Sequence, residues 1–87
     1  MAWNVEGDLA VLDWLSSEPD LILQEVVMTW IPAFAEDPSR FPATRVLSVA
    51  APVYVTFVPM TTVGVKYLRA DQFNTLKLIK LQTVRDL

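Results

Sequence analysis

Cysteine and histidine are both missing from this sequence, and only two glycines occur, Gly7 and Gly64. Without thiol and imidazole groups there are no disulfides, no thiolate or imidazole metal sites, and no nucleophilic mechanism that needs a histidine base. Two isolated glycines exclude a glycine-rich loop that cradles a phosphate. The acids are spread too evenly along the chain to predict a carboxylate metal site, so we expect neither metal nor cofactor.

Basic residues are missing from the first part of the chain. Residues 1–37 hold eight acids and no lysine or arginine, which gives a charge of −8. Residues 38–87 hold all seven basic residues and two acids, which gives +5 and a net charge of −3. An asymmetry of this kind indicates a dipolar molecule and is a hint about partners. Two interpretations stay open: a charged binding surface, or charges that only solvate each half.

Long uninterrupted hydrophobic runs are missing too. The longest apolar stretch, residues 46–60, is interrupted by two prolines and two hydroxyl residues and is too short to span a bilayer. No basic segment followed by an apolar run opens the sequence, so we expect no signal peptide. With 87 residues, 53% hydrophobic and 20% charged, the composition is that of one folded domain. We expect a cytoplasmic, soluble protein.

The acidic part, residues 1–37, has a helical period. A short strand or extended entry at residues 3–5 precedes a first helix. Asp8 is a good N-cap for this helix, and Ser16–Ser17 ends or interrupts it. Ser17 can cap a second helix, in which Pro32 predicts a kink or a break. Asp37–Pro38 is a clear stop.

After a proline-bearing loop, residues 38–51, with a possible short strand at 44–48, the period changes to the alternation of β-strands. Three strands are predicted, at residues 53–58, 63–68 and 76–84. The adjacent Leu78 and Ile79 indicate a bulge or burial on both faces. The predicted fold class is therefore α+β. Two N-terminal helices pack on one face of a C-terminal antiparallel meander, residues 52–85.

The register of this meander follows from matching apolar residues across its turns. A three-residue turn pairs Phe57 with Val65, and pairing Arg69 with Thr75 sets Val65 opposite Ile79. Lys66 and Lys80 then become diagonal neighbours and form a basic patch. The face away from the helices presents, in this register, Tyr54, Thr56, Lys66, Lys80 and Gln82, with Leu68, Leu76 and Leu78 beside them, whereas Tyr67 belongs to the core.

This basic patch is the best candidate site. Lysine and arginine hold a phosphate backbone by charge-assisted contacts, and a neighbouring aromatic ring can stack on an exposed base. The alternative is an ordinary solvated sheet face, where lysines discourage edge pairing. We expect Arg69 and Arg85 near the strand ends, beside this patch. The candidate nucleic-acid-binding residues are Tyr54, Lys66, Arg69, Lys77 and Lys80.

Five short motifs carry a family resemblance. They are Trp3-Asn4-Val5, Asp13-Trp14-Leu15, Phe34-Ala35-Glu36-Asp37-Pro38, Val65-Lys66-Tyr67-Leu68 and Val84-Arg85-Asp86. Together with the order of strand, two helices, loop and meander, they make the chain resemble the RelE/ParE superfamily of bacterial toxins. The resemblance spans nearly the whole chain, and each motif is short.

The resemblance implies the toxin component of a toxin–antitoxin pair. In RelE-like members the open sheet face cleaves messenger RNA on the ribosome through basic residues and often a C-terminal tyrosine; ParE-like members target DNA gyrase. The catalytic candidates that the resemblance implies are Lys66, Lys80 and Arg85. The implied partner is an antitoxin, a segment of which lies over the groove between helices and sheet.

Several positions depart from the family pattern. The arginine usual in the penultimate strand falls at Gly64, which leaves Lys66 as the nearest cation, and the usual C-terminal arginine falls at Val84 or Arg85. No tyrosine stands at the end of this sequence, and the pI is about 4.6. A non-catalytic interaction module that uses the acidic helical surface or the sheet edge is the alternative function, and a nucleic-acid binder without catalysis is a third.

Overall fold

A computed structural model describes residues 2–84. Within them, two helices and five strands follow one another in an α+β arrangement, as predicted. None of the helices in this part of the chain is long and apolar enough to cross a membrane. The elements are β1 (Asn4–Glu6), α1 (Asp8–Ser17), α2 (Leu21–Glu36), β2 (Ala43–Arg45), β3 (Val53–Phe57), β4 (Val63–Ala70) and β5 (Thr75–Thr83).

The five strands form one sheet in the order β1-β5-β4-β3-β2. The predicted antiparallel meander, β3 to β5, makes up its centre. The predicted extended entry is strand β1, which pairs parallel to β5 at one edge. The short strand expected at residues 44–48 is β2, at residues 43–45, and pairs antiparallel to β3 at the other edge.

The N-caps of both helices differ from the predicted ones. Gly7, in the left-handed region, precedes α1, and Asp8 is the first helical residue. The carboxylate of Asp20 caps α2 by accepting the N–H groups of Ile22 and Leu23 at 3.0 and 3.1 Å. The Ser17 hydroxyl instead donates back into α1, to carbonyls one turn earlier, so that α1 ends at Ser17 as expected.

Helix α2 continues through Pro32 to Glu36. Of the kink or break predicted at this proline, the break does not occur. Proline removes one backbone donor and crowds the preceding turn. Packing of α2 against the sheet stabilises the helix both before and after Pro32. Trp30 and Phe34, which flank Pro32, are buried and their rings stack at 4.6 Å. The helix ends at Glu36, and the N–H of the following residue, Asp37, bonds to the Ala33 carbonyl.

Both helices pack on one face of the sheet, which we call the helix side. Helix α2 contributes Val27, Trp30 and Phe34, all nearly inaccessible to solvent, and α1 contributes Trp14. The ring of Phe34 meets that of Tyr67 edge to face at 4.9 Å, which joins α2 to the middle of the sheet. Burial of these side chains is the main source of stability. The sheet residues of this core are Val63, Val65, Tyr67, Leu76, Leu78 and Leu81.

The turn between β3 and β4 fills the gap between the predicted strands 53–58 and 63–68, but it is one residue longer than the three-residue turn from which the register was predicted. Phe57 pairs with Gly64 rather than with Val65, and the Val58 N–H bonds to the Val63 carbonyl at 3.0 Å. The turn is thus residues 59–62, with Met60 in the left-handed region. A one-residue slip turns every side chain of a strand to the other face, so the predicted register of β3 was wrong.

The pairing of β4 with β5 contains the predicted bulge. Lys66 pairs with Lys80, but the next residue, Tyr67, pairs with Leu78, which leaves Ile79 as an extra residue. Leu76 and Leu78 therefore lie on the helix side, contrary to prediction, while Lys80 lies on the other face. The predicted pairings of Arg69 with Thr75 and of Val65 with Ile79 were wrong: Thr75 pairs with Ala70 and Val65 with Leu81.

Gly7→Ala is expected to destabilise the protein while Gly64→Ala does not. A Cβ on Gly7 would overlap the backbone carbonyl oxygen of Leu78, and φ there is +111°. The strain alone costs about 1–3 kcal/mol. A Cβ on Gly64 would meet its nearest atom, in the Phe57 ring, at an ordinary 3.5 Å. Urea unfolding of both variants checks this; equal stabilities would contradict the account.

Candidate nucleic-acid interface

The face of the sheet away from the helices, here called the open face, has two lysines at its centre. Lys66 on β4 and Lys80 on β5 are directly paired, and both side chains are exposed. Val55 lies opposite Lys66 on β3. A shallow groove of about 210 Å³ runs over this area. The groove is lined by Val55, Phe57, Gly64, Lys66, Lys80, Gln82 and Val84.

The lysine pair concentrates positive charge. Directly opposite residues of an antiparallel pair have Cβ atoms about 4.5–5.5 Å apart, and like charges at such positions repel each other. Among residues 2–84, the salt bridge that forms is between Arg69 and Asp71. No carboxylate of these residues therefore lies within 4.0 Å of the ammonium group of Lys66 or Lys80, where it would offset the repulsion. An anion held between the two ammonium groups would relieve it. The pair is thus suited chemically to a phosphate.

Tyr54 lies on the helix side, not on the open face as predicted. It pairs with Tyr67, and the two rings stack with their centroids 5.9 Å apart. Thr56 lies on the same side; it is buried, and its hydroxyl donates to the Pro42 carbonyl at 2.7 Å. Both placements follow from the longer turn after β3. Tyr54 is therefore not positioned to stack on a base beside the lysines.

Tyr67 is in the core, as predicted, with only 2% of its surface exposed. Burial raises the pKa of its hydroxyl above 10.0; the nearby Arg69 lowers that pKa and Tyr54 raises it further. Tyr67 therefore stays neutral at physiological pH. Its position under the sheet gives it a structural role and keeps it away from the lysine pair.

Arg69 is held away from the open face. Its Nε donates to the Asp71 carboxylate at 2.7 Å, and its guanidinium lies 4.8 Å from the centre of the Trp3 ring. These contacts occupy the cation and tie β4 to residues near the N-terminus. Pairing with Leu76 also places Arg69 on the helix side.

Lys77 shares the open face but not the lysine pair. It pairs with Leu68 on β4 and lies beside Glu6 on β1. An acidic neighbour on that side lessens its value to an anionic ligand. Lys77 also lines a larger groove with Asp8 and Asp13 of α1. The predicted catalytic residue Arg85 lies outside the described residues.

Phe57 is a residue of this face that sequence reasoning missed. Its side chain is 52% exposed and lies against Gly64, whose partner on β5 is Gln82. In the sequence, Val55 and Phe57 alternate with Tyr54 and Thr56, and either set could be turned inward. Only the length of the following turn decides between them. The left-handed position in that turn carries Met60 rather than a glycine or asparagine, so no turn signal marked it.

A partly buried hydrogen-bonded network anchors the end of β5. The Trp14 indole donates to the Thr83 hydroxyl at 2.8 Å, and that hydroxyl donates to the Glu18 carboxylate at 2.7 Å. The other oxygen of Glu18 accepts the N–H of Asp20 at 2.9 Å. Glu18 is only 4% exposed. The network thus joins the segment between the helices to the strand that carries Lys80.

No known protein-family profile and no curated protein matches this sequence. The structure, however, is similar to a chain of the RelBE2 toxin–antitoxin complex of Mycobacterium tuberculosis. The TM-score is 0.76 at 17% sequence identity, and the likeness covers 99% of this chain and 95% of the other. At that identity the likeness defines the fold. This chain has the fold of that chain of the RelBE2 complex, which confirms the RelE-like α+β fold that the sequence resemblance implied.

Removing one lysine of the pair is expected to stabilise the fold. Lys66→Gln or Lys80→Gln relieves a like-charge contact worth about 0.2–1 kcal/mol, and the gain shrinks as salt screens the repulsion. Lys77→Gln, which has no lysine opposite, is the matched control. Urea unfolding at low and high ionic strength measures the effect. A loss of stability in the Lys66 and Lys80 variants would contradict the proximity of the two charges.

Proposed function

We propose that this chain is the toxin component of a toxin–antitoxin pair and that it acts on translation by cleaving messenger RNA. The observation that carries the proposal is the direct pairing of Lys66 with Lys80 on the open face of a RelE-like fold. The position of this pair is independent of the likeness to known structures, because it follows from strand register. The solved neighbour belongs to a toxin–antitoxin complex, which supports an antitoxin as partner.

The chemistry available at the open face suits a phosphodiester. Two ammonium groups can hold one phosphate, and they can stabilise the negative charge that builds up on its oxygens during cleavage. Because the sequence holds no histidine or cysteine, the ribose 2′-hydroxyl of the RNA serves as the nucleophile. Its oxygen attacks the phosphorus while its proton passes to water, and the bond from phosphorus to the 5′-oxygen breaks as a lysine ammonium donates a proton to that oxygen. Lys66, Lys80 and Arg85 are the proposed catalytic residues, the first two on the evidence of their position.

The helical side offers a separate surface for the antitoxin. A groove of about 380 Å³ lies between α1, α2 and β1, and its lining is mostly apolar. Leu12 and Met28, 58% and 44% exposed, lie along it, with Glu6 and Asp8 at its rim. We propose that this groove receives an apolar segment of the antitoxin that also carries lysine or arginine.

The same groove favours one alternative function. If the helical surface were the working surface and the lysine pair only a solvated feature, the chain would be a non-catalytic interaction module. The charge of −8 on residues 1–37 and the exposed side chains of Leu12 and Met28 are what favour this alternative. The two functions differ in where substitutions abolish activity. For the toxin these substitutions lie on the open face, and for the interaction module they lie on the helical surface.

Expression of the chain alone is expected to arrest growth of a sensitive bacterial host, and the double variant Lys66→Ala/Lys80→Ala is expected to relieve the arrest. Each charge-assisted hydrogen bond to phosphate is worth about 1.5–3 kcal/mol, so loss of both lysines lowers activity on RNA by more than about a hundredfold. Growth curves and mapping of RNA ends after induction are the measurements.

Arg40→Gln is the control for the growth assay, because it removes one exposed cation that lies in the turn after α2, away from the open face. It should arrest growth like the wild type. Arrest by the lysine double variant, or cleaved RNA that is the same with and without the lysines, would refute the assignment of this face.

The double variant Leu12→Ser/Met28→Ser is expected to weaken antitoxin binding about tenfold or more while growth arrest persists. Leu21→Ser/Ile22→Ser makes the same kind of change at residues that are 73% and 77% exposed and do not line the groove. Calorimetry with a co-encoded small protein that neutralises the arrest measures both. Equal effects of the two double variants would argue against the groove.

A further inference from the structure

An aromatic side chain lies exposed on the open face, at the end of β3. The ring of Phe57 is 52% exposed, although burial of such a side chain in a core is worth about 1.5–3 kcal/mol. A Cβ built on Gly64 would lie 3.5 Å from Cε2 and 3.7 Å from Cζ of this ring. The ring therefore extends from β3 over the backbone of Gly64.

The polar neighbours of this ring are of two kinds. Gln82, paired with Gly64, presents an exposed side-chain amide that can both donate and accept hydrogen bonds. Lys66 and Lys80 occupy the next pair of positions on the same face, about 6.6 Å further along the strands. All four residues line one groove, and none of the residues that line it is acidic.

We propose that Phe57 is a stacking platform for one unpaired nucleobase of single-stranded RNA, with an adjoining phosphate on the Lys66–Lys80 pair. This inference rests on the proposed function, in that it takes the open face as the RNA-binding surface. It adds the part of the RNA that is recognised there: a base with its π-face free. Bases within a duplex are stacked on one another and cannot offer that face.

The size and charge of the groove favour this occupant over others. A volume of about 210 Å³ lies below the roughly 300–1,000 Å³ of pockets that enclose a drug-sized ligand, and a shallow groove suits one planar ring. The two ammonium groups beside the ring favour a ligand that has a negative charge next to the flat apolar group that stacks on Phe57. A nucleotide meets both demands, and Gln82 is placed to contact the edge of its base.

Binding of short fluorescein-labelled RNA oligonucleotides, followed by anisotropy, tests the platform directly. Phe57→Leu keeps apolar volume and removes the π-face; it should weaken binding of single-stranded RNA roughly 5- to 150-fold, the range that base–aromatic stacking supplies. Phe57→Tyr keeps the ring and should bind like the wild type. Phe73→Leu is the matched control, since Phe73 is 72% exposed in the turn before β5.

A second ligand separates stacking from backbone contact. An oligonucleotide of the same length that lacks its bases should bind wild type and Phe57→Leu equally, because it has nothing to stack. Overturning results are a Phe57→Leu variant that binds intact RNA as the wild type does, no RNA binding by the wild type, or equal affinity of the wild type for both ligands. The proposal would also be overturned if Phe57→Leu weakened the binding of a peptide partner but not the binding of RNA.

The outcomes of this test differ from those of the growth assay. Growth arrest that the antitoxin neutralises, together with RNA binding that is insensitive to Phe57→Leu, would refute the platform and leave the toxin role standing. Phe57-dependent binding of single-stranded RNA by a chain that causes no arrest would support the platform and refute the toxin role.

Discussion

Side chains of a β-strand alternate between two faces, so the extra residue Ile79 decides which face every later side chain of β5 occupies. Before it, Leu76 and Leu78 fill the core; after it, Leu81 does so. Strict alternation from Leu78 would turn Lys80 into the core, where an unpaired ammonium is costly. The bulge thus reconciles two requirements, a continuous apolar face against the helices and a lysine opposite Lys66.

The lysine pair also shows that the open face is not arranged for stability alone. Two like charges directly opposite each other oppose folding slightly, and the half-exposed Phe57 leaves apolar surface in water. The stabilising contacts lie elsewhere, in the aromatic core around Phe34 and in the Trp14–Thr83–Glu18 network at the end of β5. A buried, well-packed helix side supports a face on which Phe57, Lys66 and Lys80 are exposed to a ligand.

Most of the fold could be read from the sequence because it depends on long, strongly periodic segments. Helical stripes and alternating strands identified both helices and the meander, and the adjacent Leu78 and Ile79 marked the bulge. The faces of β3 could not be read in the same way. Tyr54 and Thr56 lie on one face, Val55 and Phe57 lie on the other, and either pair is compatible with burial. Their choice is made by one additional residue in the turn after β3, which no glycine or asparagine announces.

The candidate site was accordingly half predicted. Lys66, Lys80 and Gln82 lie on the open face as expected. The pairing at the β4–β5 turn differs from the predicted one by one residue, and the bulge at Ile79 shifts it by one more. The two shifts together return these side chains to the predicted face. Tyr54 and Arg69 do not lie there, and Phe57 takes the place expected for an aromatic ring. Arg69 is held away from the site by its contacts with Asp71 and Trp3. Trp3 is far from Arg69 and Asp71 in the sequence, so the pattern of residues did not indicate this contact.

The central claim is that the open face, and not the acidic helical side, is the surface that meets RNA. A titration of the ¹⁵N-labelled chain with a short single-stranded RNA, followed by amide and lysine-side-chain NMR shifts, tests it most directly. The account predicts shifts that cluster at Phe57, Gly64, Lys66, Lys80 and Gln82 and spare α1 and α2. Shifts that cluster on the helices, or a spectrum that does not change, would contradict it.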